Sequence, residues 1–198
     1  MKSRRLTVLG AALAVTLIAS QAGAQEGVRH LPARDIPVPD TVSPQMQEVI
    51  GRPLALIWNE HPKSAADWKV LIAGVAAQVA ATLPDLRQRL GVKSEPTVIG
   101  GIKAFLVTPE SVPEANRDRL LVHVHGGGYV LGPGEAGIRE AILMAGYGRM
   151  RILSVDYRMP PDFPYPAALD DAMAVWKEII RATDPKKLAI FGTSTAGA

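Results

Sequence analysis

The final stretch of the chain, residues 187–198, combines an apolar run with a turn of small residues around Ser194. The run KLAIF predicts a strand, and Gly192, Ala196 and Gly197 leave room for a tight bend in which bulky side chains would collide. A serine on such a strand-to-helix turn has its oxygen lifted out of the backbone, so that a base and a substrate carbonyl can both reach it. Ser194 is therefore a candidate nucleophile.

A second segment with unusual chemistry is HGGGY, residues 125–129, which follows the continuous apolar run LLVHVH at 120–125. Such a run predicts a buried strand. Three adjacent glycines leave their backbone N–H groups uncovered by side chains, so that these groups can point at an oxygen on which negative charge develops. The segment indicates an anion-stabilising loop at the end of a strand.

A third segment, DYR at 156–158, ends a predicted strand at 151–157 and leads through a proline-rich loop to a predicted helix at 167–182. A hairpin around Gly100-Gly101 and a helix at 135–149 precede them, so strands and helices alternate. This alternation predicts the α/β class, with a mostly parallel sheet and flanking helices. The three segments then lie at the carboxyl ends of strands, where open α/β sheets place their sites.

In this order and spacing, the motifs HGGGYV, VDYRMPPDFPYPAALDD and GTSTAG resemble the hormone-sensitive-lipase-like branch of the α/β-hydrolase esterases and lipases. The HGGG motif marks that branch. The resemblance runs from about residue 97 to the end. The helical segment before it looks, more loosely, like the branch's N-terminal cap.

The resemblance implies a role for each motif. Ser194 would attack an ester carbonyl and form an acyl-enzyme. The backbone N–H groups of Gly127, Gly128 and Thr195 would form the oxyanion hole. Five residues around these loops would give structural support: His125, Gly126, Asp156, Tyr157 and Arg158. The last three would form a buried polar support for the loops.

The sequence departs from the family pattern in two ways. Ala196 stands where G-x-S-x-G has glycine, and its methyl group could crowd the turn. In this fold the triad acid and the histidine base follow the nucleophile, whereas all four histidines of the chain precede Ser194. We therefore expect a fragment of a secreted serine carboxylic-ester hydrolase of short-chain esters, truncated after the nucleophile turn, with its triad partners beyond Ala198. The alternative is an inactive truncated homologue or a non-catalytic binding module.

Cofactor sites have little support in the sequence. Gly126, Gly128 and Gly132 give the spacing G-x-G-x-x-x-G, which differs from the dinucleotide-binding G-x-G-x-x-G. A metal site would need a third ligand beside His123 and His125, and the sequence offers no convincing one. We predict no cofactor and no metal, with a small acyl ester as the partner molecule.

The first 24 residues read as a cleavable signal peptide. A basic start is followed by an apolar run at 6–19 and by Ala22-Gly23-Ala24, which is typical of a secretory leader and too short for a membrane anchor. These residues hold three of the 22 basic side chains and none of the 19 acidic ones, so the remaining chain is close to neutral. The sequence predicts a periplasmic or secreted protein without a stable membrane span, and it does not favour a nucleic-acid partner.

The remaining chain divides into three predicted segments. Residues 25–44, with four prolines, form an extended lead-in; residues 45–92 form a helical cap; residues 93–198 form the N-terminal part of the hydrolase domain. Within the cap we predict a helix starting after Ser43, a second helix at 64–83 and a short third turn at 83–90 that ends at Gly91. The sequence does not determine an oligomeric state.

Overall fold

The computed structural model describes residues 34–53 and 56–197. The predicted signal peptide and residues 25–33 of the predicted lead-in lie outside the described residues. Contacts divide the chain into two units, with the boundary between Pro53 and Leu54. The predicted boundaries at 44 and 92 stay predictions.

In the described part of the first unit, residues 34–53, a short helix forms, α1 (Pro44–Ile50). It begins as predicted, because the Ser43 side chain accepts a hydrogen bond from the Met46 N–H and Pro44 occupies the first turn. At its end, Arg52 forms an exposed ion pair with Glu48 at 2.7 Å.

In the second unit, a short 3-10 helix (Leu56–Asn59) precedes the long helix α2 (Ala65–Leu90). Ser64 and Asp67 form a reciprocal capping box at its start, and Gly91 ends it in the left-handed conformation. By length and composition alone α2 could cross a membrane, but helices of soluble proteins often satisfy the same criterion. Here it packs on a later helix, α3 (Arg139–Gly148).

The prediction of two helices separated near Leu83 is wrong. A single helix runs through Pro84, which removes one backbone donor without ending it. Leu83 is fully buried and belongs to the core cluster that includes Val92 and Val107. Packing of this turn outweighs the local preference of proline, since tertiary contacts routinely override propensity.

Within the described residues, five strands form one mixed sheet in the order β1-β2-β4-β3-β5. Strands β1 (Val92–Ile99) and β2 (Ile102–Pro109) form the predicted antiparallel hairpin around Gly100-Gly101. Strands β3 (Leu120–Val124), β4 (Arg151–Val155) and β5 (Leu188–Gly192) are parallel, with β3 in the centre. The α/β class and the flanking helices are confirmed.

Helices cover both faces of the sheet. A 3-10 helix (Gly134–Ile138) leads into α3 (Arg139–Gly148), so the predicted helix at 135–149 is α-helical only in its second part. Helix α4 (Ala167–Ala182) matches its predicted bounds. Because successive strand residues point to opposite faces, Ile152 packs in the core with α2 and α3, whereas Leu153 packs in the core with α4.

One region of the second unit remains open. A groove of about 730 Å³ runs between α4 and β5, and Ile190 on β5 is 52% exposed. In the described part of the chain, β5 pairs with β3 on one side and has no strand on the other. The groove is mostly apolar, and its larger side chains are Tyr129, Phe163, Tyr165, Leu169, Met173, Trp176 and Ile190.

We expect residues 25–198, expressed alone, to self-associate or to behave as a molten species, because an apolar groove beside an unpaired strand edge promotes association. Size-exclusion chromatography with light scattering and dye binding would measure this. The variant Ile190→Lys should increase the soluble fraction, since it places a charge on the edge strand. A soluble wild-type monomer with a sharp, cooperative thermal transition would contradict the expectation.

Candidate active site

Ser194 follows β5 directly and has a φ of +54°, in the left-handed region that non-glycine residues seldom adopt. A conformation of this kind costs about 1–3 kcal/mol and persists only where the surroundings impose it. Ser194 is exposed and begins a short 3-10 turn (Ser194–Gly197). The predicted strained turn is therefore present, with its hydroxyl group at the surface.

The turn depends on close backbone approach at Gly192. A Cβ atom there would lie 2.6 Å from the Ala196 carbonyl oxygen and 2.7 Å from the Val124 carbonyl oxygen. Ala196 itself does not have a positive φ, so the alanine at this position does not force the backbone into the left-handed region. The departure from the family pattern at Ala196 is compatible with the turn.

The glycine loop after β3 lies against the serine turn. A Cβ at Gly126 would come within 2.7 Å of the Thr193 carbonyl oxygen and 3.1 Å of the Ser194 Cβ. Gly127 has a φ of +121°, and a Cβ there would lie 2.4 Å from the Leu131 carbonyl oxygen. The loop can reach Ser194 only because these positions lack side chains.

Tyr129 ties the two segments together. Its hydroxyl group donates a hydrogen bond of 2.6 Å to the Thr195 carbonyl oxygen, and its own φ is +59°. Gly127 lines the same cleft as Ser194, and the Tyr129 hydrogen bond joins the loop that contains Gly127 and Gly128 to Thr195. Their assignment as donors to an oxyanion stays a prediction. Sequence reasoning missed Tyr129, whose hydroxyl partner depends on how the two loops meet.

His125 lies beneath the glycine loop and is almost fully buried. Its Nδ1 is 2.8 Å from the Gly126 carbonyl oxygen, and its ring stacks on Tyr157 with 4.2 Å between ring centres. The Tyr157 hydroxyl group donates to the His125 carbonyl oxygen. Burial lowers the pKa of His125 and raises the pKa of Tyr157, so both are neutral near pH 7.

The other two residues of the DYR segment hold neighbouring loops. Asp156 accepts a hydrogen bond of 2.8 Å from the Gly134 N–H, and Arg158 binds both carboxylate oxygens of Asp171. Asp171 is 1% exposed, but the Arg158 side chain is 49% exposed. Of the three residues predicted to be buried, Tyr157 is buried and Asp156 is half-buried. The prediction is wrong for Arg158, whose charged end extends towards solvent.

A polar chain behind the serine turn was not predicted. The Thr193 hydroxyl group donates to Glu140 Oε1 at 2.6 Å, and Glu140 Oε2 is 3.2 Å from His123 Nε2. His123 Nδ1 is in turn 2.8 Å from the Ser154 Oγ. His123 is completely buried, and this burial lowers its pKa to about 4. A buried histidine needs hydrogen-bond partners. The position of His123 within an apolar run was therefore the sequence signal that could have pointed to this chain.

A cleft of about 290 Å³ opens beside Ser194. Helix α2 contributes Val75, Ala76 and Val79 to one wall, and the glycine loop and Thr193 contribute to the other. A larger cleft of about 710 Å³, lined by residues 156–163, does not include Ser194 in its lining. The space next to the candidate nucleophile is small and apolar on its α2 side.

Comparisons with known proteins support the predicted fold and family. Residues 121–198 match a family described as having the alpha/beta hydrolase fold. The versiconal hemiacetal acetate esterase of Emericella nidulans is 28% identical over 130 residues, which are 66% of this chain and 43% of that enzyme. A putative acetyl-hydrolase of Mycobacterium tuberculosis is 31% identical over 127 residues, 64% of this chain and 40% of that protein.

Among solved structures, the crystal structure of the esterase E25 superposes with a TM-score of 0.77 at 33% sequence identity. The match covers 86% of this chain and 53% of that one. The chain thus spans about half the length, or less, of the relatives that it matches.

The two buried histidines predict a loss of stability in acid. The pKa of His123 is about 4 in the folded chain and near 6.5 when unfolded, so the unfolded state binds more protons between these values. Stability is therefore full above pH 6.5 and falls as the pH drops towards 4. His123 alone contributes on the order of 3 kcal/mol to this fall once the pH is below 4. Burial also lowers the pKa of His125, which adds to the loss of stability in acid.

Urea unfolding at pH values from 7.5 to 4.5 would measure the effect. The variant His123→Gln should show a shallower dependence of the unfolding free energy on pH, because its side chain does not titrate. An identical pH dependence in the variant and the wild type would contradict the expectation.

Proposed function

Because the chain belongs to the α/β-hydrolase superfamily, in its hormone-sensitive-lipase-like branch, we propose that the protein is a serine carboxylic-ester hydrolase that acts through an acyl-enzyme. The observation that carries the proposal is the left-handed Ser194 at the end of β5, in direct contact with the glycine loop after β3. A strained, exposed serine beside uncovered N–H groups is the arrangement that acyl transfer requires.

In the proposed reaction, the Ser194 oxygen attacks the ester carbonyl while a base takes its proton. The N–H groups of Gly127, Gly128 and Thr195 stabilise the oxyanion. The carbon–oxygen bond to the alcohol then breaks, the base returns the proton to the leaving alcohol, and water hydrolyses the acyl-enzyme.

The base is not one of the two histidines near the site. His123 and His125 are buried, and neither is hydrogen-bonded to Ser194 in the described part of the chain. In this fold the acid and the histidine base follow the nucleophile in chain order. We accordingly expect residues 25–198 alone to show no ester turnover.

We further propose a short acyl chain as the substrate's acid part. The cleft beside Ser194 holds about 290 Å³, at the lower end of the range for ligand pockets. Its α2 wall consists of small and medium apolar side chains, which suit an uncharged acyl group. The acetate esterase and acetyl-hydrolase among the relatives support the same size class.

The activity test uses the longest natural protein that contains this sequence, with p-nitrophenyl acetate and butyrate as substrates. Ser194→Ala should reduce turnover to background. Gly127→Ala should lower kcat by about 100- to 1000-fold, because the new methyl group meets the Leu131 carbonyl oxygen and displaces an oxyanion donor.

Matched controls use positions outside the site. Gly74→Ala on α2 has no atom within 4 Å of the new methyl group and should retain full activity. Ser111→Ala in an exposed loop removes a hydrogen bond that the Ser111 Oγ accepts from Arg149, and it should retain full activity as well. Wild-type protein without ester turnover, or an active Ser194→Ala variant, would refute the proposal.

We also propose that the protein is exported, because residues 1–24 have the basic, apolar and small-residue pattern of a signal peptide. Expression with residues 1–24 should deliver a mature protein that begins at Gln25 to the periplasm or the medium. N-terminal sequencing of fractionated protein would measure this. Uncleaved protein confined to the cytoplasm would contradict it.

A further inference from the structure

We propose that Glu140 is a positioning residue for the nucleophile, holding Thr193 and thereby the left-handed conformation of Ser194. The inference rests on the proposed function, since it assigns a role in setting the reactivity of the same serine. Glu140 lies on α3, far from Ser194 in sequence, and nothing in the three chemical motifs includes it.

The Thr193 residue is held from two sides. Its hydroxyl group donates to Glu140 Oε1 at 2.6 Å, while its carbonyl oxygen accepts the Ala196 N–H at 3.1 Å inside the turn. That same carbonyl oxygen lies against Gly126 of the glycine loop. Rotation of the Thr193 peptide would therefore move Ser194 and disturb its contact with the loop.

Glu140 is itself fixed by a buried partner. Its Oε2 accepts the N–H of His123 Nε2, because an ionised carboxylate can only accept hydrogen bonds. His123 Nδ1 then accepts the hydroxyl hydrogen of Ser154 on β4. Burial disfavours the charged form of His123, so its single ring N–H is committed to Glu140.

The result is a hydrogen-bond chain from β4 through β3 and α3 to the serine turn. Every member has its partner, which is the condition under which a polar network makes its surroundings rigid. The Glu140 side chain is 41% exposed and also lines the cleft beside Ser194. A role through Thr193 and a direct effect on the substrate therefore have to be separated by experiment.

Thr193→Val provides the sharpest test in the longest natural protein that contains this sequence. It removes the hydroxyl group, keeps the shape of the side chain, and leaves the hydrogen bond between Glu140 and His123 intact. We expect kcat for p-nitrophenyl acetate to fall about 10- to 100-fold with KM within about twofold, because small displacements of a reacting group reduce the rate of chemistry.

The other variants test whether the two residues act as one unit. Thr193→Ser keeps the hydroxyl group and should stay near wild-type activity. The kcat of Glu140→Ala should match that of Thr193→Val. The kcat of the double variant should be no lower than that of either single variant. Glu140→Gln keeps one acceptor oxygen for two donors, and its kcat should lie between those of the wild type and Glu140→Ala. Glu178→Ala, on the exposed side of α4, is the control glutamate and should be unaffected.

The proposal would be overturned if Thr193→Val left kcat unchanged or altered only KM. It would also be overturned if the losses of kcat in the double variant were additive. If the wild type hydrolyses no ester, the proposed function fails and the positioning role is read by NMR. The Ser194 amide signal should then shift in Thr193→Val and Glu140→Ala but not in Glu178→Ala. Unshifted signals in the first two variants would overturn the proposal on that ground as well.

Discussion

The close approach of two loops, one after β3 and one after β5, is the constraint on which the rest of this structure depends. The two strands are neighbours in register, with Val124 opposite Gly192, so their carboxyl ends deliver the glycine loop and Ser194 to one place. The gap between them has no room for a methyl group at Gly126 or Gly192. Backbone therefore packs on backbone where the two loops meet.

A contact this tight has to be held from outside, and three sets of side chains hold it. Tyr157 and His125 support the glycine loop from beneath, Tyr129 joins that loop to Thr195, and Glu140 holds Thr193 from α3. Tyr157, His125 and Tyr129 hydrogen-bond to backbone carbonyl groups, and Glu140 accepts a hydrogen bond from the Thr193 hydroxyl group. Their effect is to keep a strained residue in one conformation, which isolated turns of the same sequence would not maintain.

The two faces of the sheet are covered unequally in the described part of the chain. On one face, α2 and α3 close over a core that includes Leu83, Ile142 and Ile152. On the other, α4 packs on Val122 and Leu153 but leaves the apolar groove beside β5 open. The serine turn lies at the end of that same strand, so the geometry around Ser194 is better supported from the α3 side than from the α4 side.

The sequence by itself determined the α/β class, the positions of most helices and strands, and the three segments that meet at the site. Local signals suffice for these features, because apolar periodicity, capping residues and small-residue turns act over a few positions. Tertiary structure alone decided that α2 continues through Pro84, that Arg158 extends towards solvent, and that Tyr129 and Glu140 contact the serine turn. These outcomes depend on contacts between residues that are distant in sequence. Local sequence patterns do not predict such contacts.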